Sequence, residues 1–187
     1  MAFVFNLLAA PGCLKTLEKC KERLGDLTPL KRDCGRLCGA NCCQPDAEED
    51  TDENGMLLFP FEERLYQRPM EGFPFRLVED DTLYKGGKRL ICEGHCDREH
   101  RPLACRIFPL RVRIVPEDAT GEKAHAQAEW DPRAGHLCPL ADMGGLRAMD
   151  PAFIQAVEDA GNILIQNDCM LEALYNEQRL LDEMRNL

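Results

Sequence analysis

The sequence has no excess of positive charge. It contains 23 Lys and Arg residues against 33 Asp and Glu residues in 187 positions, which gives a formal net charge of −10 at pH 7. Proteins that bind nucleic acids or anionic membranes without further specificity need a basic surface. We therefore expect no nucleic-acid partner and no membrane partner, whereas a protein partner of unknown identity stays open.

The sequence also lacks a long apolar stretch. A helix that crosses a membrane needs about 18 or more mostly apolar residues in a row, and no segment of this chain approaches that length. The short apolar run in residues 1–10 has no positively charged residue before it, which is atypical of a secretory signal. We therefore expect a cytoplasmic protein, and cysteines are kept reduced in that compartment.

The familiar sequence signatures of enzymes are missing as well. The chain contains no nucleophile-elbow motif, no phosphate-binding Walker loop and no dinucleotide-binding fingerprint. No catalytic residue is assigned from the sequence as a result. Whether the protein is an enzyme stays open at this level.

Cysteine, in contrast, is abundant, with 11 residues in the chain. Eight of them form groups in the middle of the sequence: Cys34, Cys38, Cys42, Cys43, Cys92, Cys96, Cys105 and Cys138. Thiols separated by a few residues can converge on one ion from a single loop or helical turn. Disulfides in an oxidising compartment and buried apolar thiols are the alternatives, but neither explains the grouping. The pattern therefore predicts eight metal ligands, whereas Cys13, Cys20 and Cys169 are expected to be ordinary core or surface thiols.

The sequence leaves the metal undecided. Eight thiolates would fill two zinc sites of four cysteines each, or they would hold an iron–sulfur cluster together with a second metal, or two small clusters. Arg101 and Arg106 flank ligand cysteines, and we expect them to donate hydrogen bonds to sulfur, as groups around a metal site commonly do. His95 lies beside Cys96 and is a further candidate for this outer role.

Four features of the sequence resemble one known family. They are the opening Cys-x3-Cys-x3-Cys-Cys of residues 34–43, the Cys-x3-Cys of 92–96, the Arg-Pro-x-x-Cys-Arg-x-Phe-Pro string of 101–109 and the Cys-Pro of 138–139. Together they look like the eight-cysteine zinc- or iron-chelating family that is named for its CxxCxxCC motif. Both gaps in the opening motif are three residues here, where the family name implies two. The resemblance covers residues 34–140 and implies that all eight cysteines are directed at metal.

The resemblance implies a metal-binding protein that holds zinc or an iron–sulfur centre through clustered thiolates. Its biological role stays open, because most members of the family are uncharacterised. Some members are labelled iron–sulfur oxidoreductases, so a redox protein that passes electrons to a partner is the first alternative. A branch that resembles the family is linked to lysine methylation of flagellin, so a metal-dependent enzyme linked to protein modification is a further alternative.

The hydrophobic pattern predicts an α+β fold in which short hairpins and loops are organised around the cysteines. Residues 13–24 are predicted to form a helix, because leucines recur there at helical spacing. One predicted hairpin has its arms at 83–84 and 89–91, and the second has its arms at 110–115 and 124–130.

The C-terminal part of the sequence carries the clearest helical signal. Asp150 followed by Pro151 is a typical helix start, and residues 150–186 are predicted to be helical, as two helices or as one helix with a break. This part is expected to bury four apolar side chains: Phe153, Val157, Leu164 and Leu174. We expect residues 1–187 to form a single domain with its cysteine-rich metal-binding core at 34–140.

Overall fold

The fold is α+β, as predicted. A computed structural model of the chain describes residues 7–32, 35–43, 55–92, 97–118, 123–135 and 137–185. The helices are α1 (Ala10–Leu24), α2 (Gly35–Cys38), α3 (Leu103–Ile107), α4 (Pro151–Leu164) and α5 (Asp168–Arg185). The strands are β1 (Met56–Leu57), β2 (Phe75–Glu79), β3 (Lys88–Cys92), β4 (Leu110–Pro116) and β5 (Ala124–Trp130).

Two small antiparallel sheets divide the strands between them. One sheet has three strands in the order β1-β3-β2, and the other consists of β4 and β5. Short 3₁₀ helices connect several of the elements: Leu7–Ala9, Asn41–Cys43, Glu62–Tyr66, Arg98–His100, Pro132–Gly135 and Gly145–Ala148.

The hairpin of β4 and β5 confirms the predicted arms. Its register runs from Leu110 opposite Trp130 to Pro116 opposite Ala124. Successive strand residues point to opposite faces, and the face that carries Val112 and Ala126 is buried against α4. This alternation of small or branched apolar residues with polar ones is what made the hairpin predictable.

The other hairpin is only partly as predicted. Its second arm is β3, which runs directly into Cys92, but its first arm is β2 and not Leu83-Tyr84. Residues 80–87 form a loop instead, because Asp80 accepts a hydrogen bond from the Thr82 backbone nitrogen at 2.9 Å. Leu83 and Tyr84 are buried in this loop against Ala173 of α5, so their apolar character serves tertiary packing and not strand pairing.

The C-terminal part consists of two helices. Asp150 caps α4 as predicted, since its Oδ1 accepts a hydrogen bond from the backbone nitrogen of Ala152 at 3.1 Å. The four side chains expected in the core are at most 1% exposed: Phe153, Val157, Leu164 and Leu174. Among the described residues, no helix is long and apolar enough to cross a membrane.

Helix α1 packs against α4 and begins three residues before the predicted start. Its buried face contains Cys13, Leu17, Cys20 and Leu24, so two cysteines complete the apolar stripe that the leucines begin. The same core cluster contains residues of α4, α5, β4 and β5. The helices at the two ends of the sequence therefore share one core with the second hairpin.

Replacing Gly161 by Ala should destabilise the protein. A Cβ atom at Gly161 would lie 2.5 Å from the Ala126 Cβ and 2.9 Å from a Val112 methyl group, so α4 would have to move away from the hairpin. Overpacking of this kind outweighs the gain in helix propensity, and we expect a loss of about 1 to 2 kcal/mol in the free energy of unfolding, measured with urea. Gly135→Ala is the control, since a Cβ atom there meets nothing within 4 Å. Equal stability of the two variants would contradict the close packing.

Candidate metal centre

Two of the predicted ligands from distant parts of the sequence, Cys38 and Cys138, lie near enough for one thiol to affect the pKa of the other. Cys38 is the last residue of α2, and Cys138 lies in a turn after the 3₁₀ helix Pro132–Gly135. Burial raises the pKa of the Cys138 thiol, and the nearby Cys38 raises it further, whereas a hydrogen bond from the Leu140 backbone opposes this. Asn41 joins the same two segments, because its Nδ2 donates to the carbonyl oxygen of Leu137 at 3.1 Å.

The other described cysteines of the predicted set lie on separate elements. Cys92 ends β3 opposite Phe75, Cys105 lies in α3, and Cys42 is exposed in the 3₁₀ helix Asn41–Cys43. Among the described side chains, no three cysteine sulfurs lie within 4.8 Å of one another. Cys34, Cys96 and His95 lie outside the described residues, as does the side chain of Cys43.

No disulfide joins any two of the cysteines whose side chains the structure describes. The group comprises Cys13, Cys20, Cys38, Cys42, Cys92, Cys105, Cys138 and Cys169. These side chains are therefore present as thiols.

The buried carboxylate of Glu62 fixes the start of the helix that carries Cys105. Its Oε1 accepts a hydrogen bond from the backbone nitrogen of Leu103 at 2.8 Å, and its Oε2 accepts one from Phe59 at 3.3 Å. Lys21 of α1 forms an ion pair with the same carboxylate at 3.3 Å. The sequence analysis did not identify Glu62, because no pattern in the neighbouring residues indicates that its carboxylate is buried.

Arg106 holds the turn that precedes α3. Its Nη2 donates to the carbonyl oxygen of Glu99 at 2.9 Å, and its Nε donates to that of Arg101 at 3.4 Å. Burial lowers the pKa of this guanidinium. The described contacts of Arg106 are thus with backbone oxygens, and the expected donation to sulfur by Arg101 and Arg106 stays a prediction.

His100 lies in the same turn, beside two carboxylates. Its ring stacks on that of Phe73 with centroids 6.1 Å apart, and its carbonyl oxygen accepts a hydrogen bond from the Tyr66 hydroxyl at 3.0 Å. The ligand atoms of Asp97, Glu99 and His100 lie within 4.8 Å of one another. Both carboxylates are exposed, and we assign no site to them because such groups are common without a bound ion.

The cysteines outside the predicted set have packing roles within the described structure. The Cys20 thiol donates to the carbonyl oxygen of Ala160 in α4 at 3.4 Å, and burial, reinforced by the nearby Glu62, raises its pKa to about 12. The Cys13 thiol donates to Oδ1 of Asn167 at 3.5 Å. Burial raises its pKa as well, and the neighbouring Cys169 adds to this effect.

The Cys20 thiol should make stability depend on pH in the alkaline range. Its pKa lies at about 12 in the folded protein against an ordinary value of 9.0, so the native state binds more protons than the unfolded state between these values. Stability is therefore fully present below pH 9.0 and falls as the pH rises, by at most about 1.4 kcal/mol per pH unit for one group.

The test compares urea unfolding of Cys20→Ala with that of the wild type between about pH 8 and 11. We expect the variant to lose stability less steeply with pH, whatever its stability at neutral pH. If the Cys20→Ala and wild-type slopes coincide, the thiol is not the source of the effect.

Replacing Glu62 by Ala should destabilise the protein strongly. The change leaves the Lys21 ammonium without its partner and the backbone nitrogens of Leu103 and Phe59 without an acceptor. Breaking a buried ion pair costs about 3 to 5 kcal/mol, and we expect a loss in this range by urea unfolding. The exposed Glu71 supplies the control, since Glu71→Ala should change stability by about 0.5 kcal/mol or less. A Glu62→Ala variant as stable as the control would show that the carboxylate contributes little to the free energy of unfolding.

Comparisons with known proteins give no match to a protein family, to a curated protein or to a solved structure. The membership implied by the cysteine motif and by the 101–109 string therefore stays a prediction.

Proposed function

We propose that this chain is a metal-binding protein whose cysteine thiolates hold zinc or an iron–sulfur centre. The single observation that carries the proposal is the proximity of Cys38 and Cys138, which are far apart in the sequence. Cys38 and Cys138 are two partly buried thiols from separate cysteine groups, and a metal site needs ligands from distant segments to converge. The hydrogen bond from Asn41 to Leu137 supports the same convergence, because it ties the two ligand-bearing segments together.

The chemistry of this pair fits a metal cation. Burial and the neighbouring Cys38 both raise the pKa of the Cys138 thiol, so the Cys138 thiolate is disfavoured without a compensating positive charge. A bound cation reverses that balance, since metal binding deprotonates the thiols that coordinate it. Metal uptake by thiols that are protonated before binding would release protons.

The geometry limits which cysteines complete a site with Cys38 and Cys138. Sulfur atoms around tetrahedral zinc lie about 3.8 Å apart, given zinc–sulfur distances of about 2.3 Å. Among the described residues, no three cysteine sulfurs lie within 4.8 Å of one another. The remaining ligands of this site are thus to be sought first among Cys34, Cys43 and Cys96, whose side chains lie outside the described residues.

The identity of the metal separates the functions that the cysteines support. Zinc closed by four thiolates has a structural or storage role, because every coordination position is filled. An iron–sulfur centre would supply one-electron transfer to a protein partner, and an open coordination position would suit a metal-dependent enzyme linked to protein modification. The proposed eight ligands are the same in each case: Cys34, Cys38, Cys42, Cys43, Cys92, Cys96, Cys105 and Cys138.

The test is the metal content of anaerobically purified protein, together with its absorption spectrum. About two zinc ions per chain without visible absorbance would support paired tetrathiolate sites. Iron with inorganic sulfide and a broad band near about 400 nm would support a cluster. Protein that contains neither metal, and that takes up neither on reconstitution, would contradict the proposal.

Serine variants test whether Cys38 and Cys138 bind the same ion. Because one missing ligand is enough to weaken a site, Cys38→Ser and Cys138→Ser should lower the metal content by the same amount, and the double variant should lower it no further. Cys169→Ser is the matched control and should keep the wild-type content, since Cys169 lies outside the proposed set. Losses that add in the double variant would place the two cysteines in different sites, and an equal loss in the control would point to misfolding.

A further inference from the structure

Two cysteines that are not among the proposed metal ligands are neighbours where the first long helix meets the last one. Cys13 belongs to the buried face of α1, and Cys169 is the second residue of α5. Both side chains are free thiols, and Cys169 packs against the core cluster that contains Cys13. The fold therefore brings together two thiols from near opposite ends of the sequence.

The side chain of Asn167 holds the start of α5 against α1 at this point. Its Oδ1 accepts a hydrogen bond from the Cys13 thiol at 3.5 Å and another from the backbone nitrogen of Cys169 at 3.1 Å. Its Nδ2 donates to the hydroxyl of Thr16 in α1 at 3.5 Å. One oxygen thus contacts the sulfur of one cysteine and the backbone of the other, which fixes the position of Cys169 relative to Cys13.

The two thiols also interact with each other. Burial raises the pKa of the Cys13 thiol, and the charge of Cys169 and a hydrogen bond between the two side chains raise it further. Such a hydrogen bond requires neighbouring sulfur atoms, in agreement with the contacts that both residues make with Asn167. The pair is therefore arranged for a reaction between its two sulfurs.

The two thiols differ in their access to solvent. Cys13 is 0% exposed, whereas Cys169 is partly exposed. Thiol–disulfide exchange requires a thiolate to reach the sulfur that it attacks. A reagent in solution therefore meets Cys169 first, and the accessible partner of Cys13 is the sulfur of Cys169.

We propose that Cys13 and Cys169 form a reversible disulfide when the protein reacts with a small-molecule disulfide, and that this bond ties α1 to the start of α5. The inference uses none of the proposed metal ligands. Its failure would leave the proposed metal site untouched, and absence of a metal would leave this pair of thiols in place.

The reaction proceeds in two exchange steps. The Cys169 thiolate attacks one sulfur of the small disulfide, forms a mixed disulfide with it and releases the other half as a thiolate. The Cys13 thiolate then attacks the Cys169 sulfur, forms the Cys13–Cys169 bond and releases the second half. The two protein thiols lose two electrons and two protons, and the small disulfide becomes two thiols. An excess of small thiol reverses both steps.

The test treats the full chain with oxidised glutathione at neutral pH, blocks the remaining thiols and identifies the linked peptides by mass spectrometry after trypsin digestion without reductant. Trypsin releases residues 1–15 and 148–179 as peptides with one cysteine each, so a bond between these peptides has a single assignment. We expect this bond in the folded protein and at least about tenfold less of it in concentrated urea, because an unfolded chain seldom closes so long a loop. Folded protein without the bond, or an equal yield in urea, would overturn the proposal.

Serine variants test the order of the two steps. Cys13→Ser should stop the reaction at the mixed disulfide, so that glutathione stays attached to Cys169. Cys20→Ser is the matched control, because Cys20 is equally buried in α1 but donates its thiol hydrogen to the carbonyl oxygen of Ala160, and it should form the bond as the wild type does. Glutathione that stays on Cys169 of the folded wild type would overturn the proposal. If Cys13→Ser does not fold, the linked peptides of the wild type still decide the question.

The melting temperature shows whether the bond ties the two helices together. A disulfide that closes a long loop restricts the unfolded chain, so the oxidised wild type should melt about 5 to 15 °C above the reduced protein. Cys169→Ser treated in the same way is the control for the other cysteines and should show no such rise. An equal rise in the control, or none in the wild type, would contradict the tie between α1 and α5.

Discussion

The buried carboxylate of Glu62 is the contact on which much of the described fold depends. It is fully buried and joins three parts of the chain, because it pairs with Lys21 of α1 and accepts from the backbones of Phe59 and Leu103. A buried charge is stable only when its oxygens are satisfied, and here two backbone donors and one ammonium satisfy them. The first residue of α3 is held by this carboxylate, so the position of Cys105 relative to α1 follows from it.

The parts of the fold that could be predicted from the sequence are those set by local chemistry. The cap at Asp150 and the alternation along β4 and β5 depend on neighbours in the chain, and both were predicted with nearly correct bounds. Leu83 and Tyr84 show the limit of such reasoning. A short apolar pair at this position is typical of a strand. It is instead buried against Ala173 of α5, which lies almost ninety residues further along the chain. Local patterns carry no information about such partners.

The candidate sites differ in the same way. Spacing within the chain suggested which cysteines belong together as ligands, because the geometry of coordination is partly local. The proximity of Cys38 to Cys138 is a property of the tertiary structure, and no spacing rule pairs them. Glu62 was not identified at all, because in the sequence it is one of many charged residues, and its pairing with Lys21 appears only in the tertiary structure.

The packing of α1 against α4 has a consequence for the cost of ordering the cysteine-bearing segment between them. The two helices meet through the thiol of Cys20 at the Ala160 carbonyl and through the ion pair of Arg23 with Asp159, so the ends of that long segment are already held together. Closing a loop costs chain entropy that grows with the logarithm of its length. Because α1 and α4 already hold these ends together, most of that chain entropy is lost on folding, before any ion binds. A metal ion that bridges Cys38 and Cys138 then closes only shorter loops within a chain whose ends are fixed. The affinity of such a site for its metal ion therefore depends on the packing of α1 against α4, although neither helix carries a proposed ligand.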